Sequence, residues 1–86
     1  MAQGNHDAMA KYIIIAHEMN SAKTRYFEGY DDYGIIGEAR WGFDAKSAKQ
    51  ISALEVETER LLLTMLCPNL VIDTIRLNEY WYPKPA

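Results

Sequence analysis

Gly37-Glu38-Ala39-Arg40-Trp41-Gly42-Phe43-Asp44-Ala45-Lys46-Ser47-Ala48 decides the fold class, because the spacing of its apolar residues changes part-way along. Up to Phe43, the residues Ile35, Gly37, Ala39, Trp41 and Phe43 alternate with Ile36, Glu38, Arg40 and Gly42. That period of two predicts a half-buried strand, with Trp41 on its inner face. Asp44 is a good N-cap residue. From Ala45, the apolar residues Ala48, Ile51, Leu54, Leu61, Leu62, Met65 and Leu66 recur at helical spacing, uninterrupted by Gly or Pro. One long helix packed on a sheet is the expectation. Thr58 stands where the stripe should continue; it is polar and β-branched, so a bend or a break into two shorter helices belongs there. Pro68 stops the helix, since the residue before a proline avoids the α region.

Upstream, Tyr12-Ile13-Ile14-Ile15-Ala16 is a short β-branched apolar run that predicts a strand covered on both faces, central in its sheet. Asn20-Ser21-Ala22-Lys23 supplies a turn. Arg25-Tyr26-Phe27-Glu28-Gly29-Tyr30 follows as a second strand, and Asp31-Asp32-Tyr33-Gly34 as a second turn. Downstream, Leu70 to Tyr82 predicts a last strand, stopped by Pro83 and Pro85. The expected order is β-β-β-α-β, an α+β domain built on an antiparallel sheet. Residues 1–9 are small and polar and read as a flexible tail, leaving residues 10–86 as a single domain.

Composition narrows the function classes. Eighty-six residues make one domain, with 49% apolar and 24% charged residues and a net charge of −3. A phosphate backbone is a poor partner for that charge. Cys67 is the only cysteine, so no intrachain disulfide forms and a cytoplasmic setting is expected. No apolar run approaches the length of a membrane span, and the first residues have no signal-peptide pattern.

Catalytic chemistry finds little to stand on. His6 and His17 are the only histidines, and His17-Glu18 on a strand point to opposite faces, so no metal site is expected. Cys67 sits at a helix C-terminus, where the dipole disfavours a thiolate; a core or capping role suits it better. No phosphate loop, nucleophile elbow or zinc spacing occurs, so neither an enzyme nor a cofactor is expected.

Two features invite binding. Six Tyr and two Trp in so short a chain exceed what its core accommodates easily, and Tyr, Trp and Arg dominate binding hot spots. The contact candidates are Tyr30 and Tyr33 in the hairpin and Tyr80, Trp81 and Tyr82 near the C-terminus, with Glu28, Asp31 and Asp32 as an acidic rim. The second feature is Lys46, Ser47 and Lys49 at the expected helix N-terminus, where an anion would be held.

The layout across roughly residues 10–82, with its passage from strand at Gly37–Trp41 into a helix after Asp44, resembles small phage-encoded anti-CRISPR inhibitors. That resemblance implies a protein target, such as a nucleic-acid-binding effector complex, and a stoichiometric mode of action. The expectation is a small inhibitor or adaptor that occludes a protein surface. The alternatives are a homo-oligomeric structural or regulatory domain, including a homodimer, and a small-anion-binding module.

Overall fold

The computed structural model describes residues 10–33 and 36–77, through the backbone alone at 32, 33, 36 and 37. Its elements are β1 (Lys11–Glu18), β2 (Arg25–Tyr33), β3 (Ile36–Gly42), β4 (Ile51–Ser52), α1 (Val56–Leu66) and β5 (Leu70–Leu77), with a single 3₁₀ turn at Ala45–Ser47. The class is the expected one: an antiparallel sheet with one helix.

β1 is central. Along one edge it pairs with β5 over its whole length, from Lys11↔Leu77 to Glu18↔Leu70. Its other edge is shared: Ile15 and Ala16 face Tyr26 and Arg25 of β2, while Lys11 and Tyr12 face Ser52 and Ile51 of β4. Ile13 and Ile14 point to opposite faces and are 1% and 0% exposed, so the strand is covered on both sides.

The shared edge traces to one residue. Phe27 opposes Trp41 and Gly29 opposes Arg40, which leaves Glu28 as an extra residue in β2. Gly29 takes φ +135°, a conformation closed to most side chains, and so permits this bulge. A bulge bends its strand, here carrying β2 away from the first half of β1. The chain after the 3₁₀ turn fills the gap: the Lys49 amide donates to the Phe27 carbonyl at 2.8 Å and the Ala53 amide to the Ala10 carbonyl at 3.1 Å.

The bulge also resets the alternation of faces. Phe27 and Tyr30 lie three apart and would oppose each other in a regular strand. The extra residue brings both to the helix side, with their rings edge-to-face at 5.1 Å; Phe27 meets Trp41 at 5.6 Å. Ile14, Phe27, Ile51, Val56 and Leu63 form the core, with Tyr12, Tyr30, Ala39, Trp41 and Ile72 packed around them.

Three expectations are corrected. The helix begins at Val56, not Ala45, and the break precedes it instead of falling at Thr58. The amides of Lys49 and Ala53 are spent on Phe27 and Ala10, so sheet contacts override helical propensity between them. Asp31, Asp32 and Tyr33 of the expected turn are strand instead: β2 runs through Tyr33, with Asp31↔Glu38, Asp32↔Gly37 and Tyr33↔Ile36 adding ladder pairs, and Gly34 lies outside the described residues. Phe43 lies beyond β3, 62% exposed, with the Lys23 ammonium 4.9 Å from its ring centroid. Residues 1–9 and the expected extension of β5 to Tyr82 lie outside the described residues.

Candidate functional site

α1 has eleven residues, too few to hold a helix in water alone, so packing must fix it. Its phase is set just upstream. Ile51 is drawn into the sheet at 3% exposure, and a tight turn closed by Glu55 N–H to Ser52 C=O at 3.0 Å delivers Val56 facing the same core. Leu63, seven residues on, falls on the same line and is fully buried. Glu59 follows that phase inward and accepts a hydrogen bond from the Tyr30 hydroxyl. Arg60 donates through Nε to Glu57 at 2.9 Å, an ion pair that holds the Glu57 carboxyl below the ordinary glutamate range. At the far end, the Cys67 amide caps the Leu63 carbonyl at 2.8 Å, so of the core and capping roles expected for this residue it takes the cap.

This phase turns the long apolar stripe outward. Leu54 is 81% exposed, Leu61 52%, Leu62 42%, Met65 79% and Leu66 46%. These residues were expected to form the inner face; they instead form the outer one. From Leu61 to Leu66 it carries no charged side chain. Beyond Leu66 a cleft of about 380 Å³ continues the surface, lined by Leu66, Cys67, Pro68, Asn69 and Leu70 and by the Glu18–Arg25 ion pair.

The residues singled out from the sequence fare differently. Tyr30 is half-buried and engaged: burial first, then the hydrogen bond to Glu59, push its phenol well above the ordinary tyrosine range. It is not a free anchor, because the bulge turns it inward. Glu28 and Asp31 form no open acidic rim; Arg40 donates to Glu28 at 3.3 Å and to Asp31 at 2.9 Å, and its guanidinium is held above its ordinary range chiefly by Asp31. Asp32 and Tyr33 are placed by backbone register alone, and Tyr80, Trp81 and Tyr82 lie outside the described residues.

The anion reading loses its foundation. Lys46 and Ser47 lie within a single 3₁₀ turn and Lys49 just after it, not at the start of a longer helix, and the Lys46 amide is already taken by Asp44 at 2.9 Å. Trp41, assigned to the core, does pack there. Among the described residues no group of three or more His, Cys, Asp and Glu is placed to hold a metal, and no helix is long and apolar enough to cross a membrane.

Leu61, Leu62 and Met65 as surface residues were missed. The signal lay in the run Leu61-Leu62-Leu63, since three consecutive helical residues span some 200° and cannot all face one side. No protein-family model, no curated protein and no solved structure matches the chain, so the helix face itself is what any functional reading must rest on.

Proposed function

We propose that the chain is a non-catalytic protein-binding domain, acting stoichiometrically to occlude or adapt a partner, and that its contact surface is the outward face of α1. One observation carries this reading: four large apolar side chains of this one short helix, Leu61, Leu62, Met65 and Leu66, stand 42–79% exposed, with Leu54, 81% exposed, in the turn just before it. Water-exposed apolar area of this kind is stabilised when a partner covers it, and fully burying one such side chain is worth roughly 1.5–3 kcal/mol. The rigid sheet beneath holds the helix in place, so little ordering entropy opposes docking. The single cysteine suits a reducing compartment, and we assign the protein to the cytoplasm.

The test compares the double substitution Leu61→Glu with Met65→Glu against Lys46→Glu with Lys49→Glu, which likewise adds acidity but away from the patch. Both proteins should keep the wild-type circular dichroism spectrum. Capture from the native cell extract should fail for the first and persist for the second. Retention of the same partner by the first would overturn the assignment of the face.

A further inference from the structure

We infer that the C-terminal segment, residues 78–86, folds back over the helix-free face of the sheet and seats Trp81 and its two neighbouring tyrosines on Ile13, Ile75 and Leu77. The inference goes beyond the protein-binding reading: it concerns the face of the sheet that α1 does not touch, and it stands whether or not α1 docks a partner.

A sheet with two apolar faces needs a cover on each. α1 covers one, where Ile14, Phe27 and Leu63 meet. Ile13 points the other way, and the register Ile13↔Ile75 and Lys11↔Leu77 puts Ile75 and Leu77 on that second face with it. Ile13 is 1% exposed there and Leu77 6%, although Leu77 ends β5, a strand paired only with β1 among the described residues. Flanking side chains alone do not close a residue at the edge of a sheet; something lies over it. Burial to that degree within a single chain must come from the chain itself.

Residues 34–35 join β2 to β3 past the Tyr33↔Ile36 pair, at the end of β2 that bends away from β1, which leaves residues 1–9 and 78–86. Both adjoin the buried end of the face, since Lys11 and Leu77 are paired. Chemistry separates them. Residues 1–9 offer Met1 and Met9 as their only large apolar side chains, whereas 78–86 hold Tyr80-Trp81-Tyr82. Aromatic rings bury the most area per residue, and the tyrosine hydroxyls can stay in water at the rim.

Length agrees. A straight continuation of β5 would carry the triplet off the end of the sheet and leave Leu77 open. After a reversal at Asn78-Glu79, Tyr80 to Tyr82 spans about 10 Å of extended chain. That reaches Ile75, about 7 Å back from Leu77, and stops short of Val71, about 20 Å back. Val71 is 41% exposed, so the cover ends where the aromatic triplet runs out. Pro83 and Pro85 have no N–H for a ladder, which suits a segment lying on a face and not along an edge.

Hydroxyl-radical footprinting of the full-length chain tests the assignment. Trp81→Ser should raise the labelling of Ile13, Ile75 and Leu77 several-fold, while Ile14 and Leu63 on the helix side stay protected. Met9→Ser, the matching change in the other terminal segment, should leave all five as in wild type. If Trp81→Ser unfolds the chain, Trp41→Phe decides, because it leaves Trp81 as the only indole. Its emission should be blue-shifted from that of free tryptophan and several-fold less quenched by acrylamide, with both differences lost in urea. Emission and quenching like those of free tryptophan overturn the inference. So does a folded Trp81→Ser protein with Ile13 and Leu77 still protected, or exposure of those residues by Met9→Ser instead.

Discussion

Leu61, Leu62 and Leu63 are chemically identical neighbours on one helix, and replacing each with alanine reads out which way that helix faces. Leu63 is fully buried against Ile14, Phe27, Ile51 and Val56, so truncation removes its transfer energy and leaves a cavity. That combination costs about 3 kcal/mol, within the roughly 2–5 kcal/mol seen for buried leucines. Leu61 is 52% exposed and Leu62 42% exposed, and water can enter the space either vacates. Partial burial is then worth about 1 kcal/mol at each, offset in part by the better helix propensity of alanine. For a domain of this size, about 1 kcal/mol moves the melting temperature by roughly 4–8 °C. Leu63→Ala should therefore melt some 12 °C or more below wild type, and the other two only a few degrees below. Urea unfolding in dilute solution, where self-association is negligible, gives the three free energies. If Leu61→Ala or Leu62→Ala costs as much as Leu63→Ala, the apolar stripe faces the sheet and the orientation argued above is wrong.

Two glycines separate backbone strain from crowding. Gly29→Ala finds open space around the new methyl but must hold φ +135°, and should cost about 1–3 kcal/mol by chemical denaturation. Gly42→Ala places its Cβ against a Glu28 carboxylate oxygen, the far end of an ion-paired side chain that can swing aside, and should change stability by no more than about 0.5 kcal/mol. Tyr30→Phe deletes the bond to Glu59 and should cost about 1–2 kcal/mol near neutrality. Because the folded-state pKa of Tyr30 is raised, its contribution is complete below the unfolded tyrosine pKa and fades as pH climbs. The wild-type advantage over Tyr30→Phe should thus shrink above about pH 10 in urea midpoints; an advantage that grows with pH contradicts the Tyr30–Glu59 pairing. Phosphate should raise the melting temperatures of wild type and of Lys46→Gln with Lys49→Gln equally; a selective effect on wild type would restore an anion site at the 3₁₀ turn.

The sheet was legible because its strands carry period-two and β-branched patterns that local chemistry writes into the residues. The doubly covered Ile13–Ile15 run and the alternation through Trp41 both correspond to observed strands. The bulge was not legible as such, although Gly29 inside an aromatic strand run is the residue that marks it. Missing it inverted the reading of Tyr30, whose face depends on the parity that Glu28 resets. The helix was misjudged for a related reason. Periodicity reports that apolar residues share a face without saying which of two faces meets the sheet. That choice was made at Ile51, where long-range pairing with Tyr12 set the phase of everything downstream. Binding residues were therefore sought among aromatics, while the bare apolar surface lay on leucines and a methionine.

Hydroxyl-radical footprinting of the dilute, wild-type chain, read by mass spectrometry at single residues, tests the outward-facing helix most directly. The account predicts strong labelling at Leu61, Leu62 and Met65 and protection at Ile14, Val56 and Leu63. Labelling of Leu63 together with protection of Leu61 and Leu62 in dilute solution would contradict it.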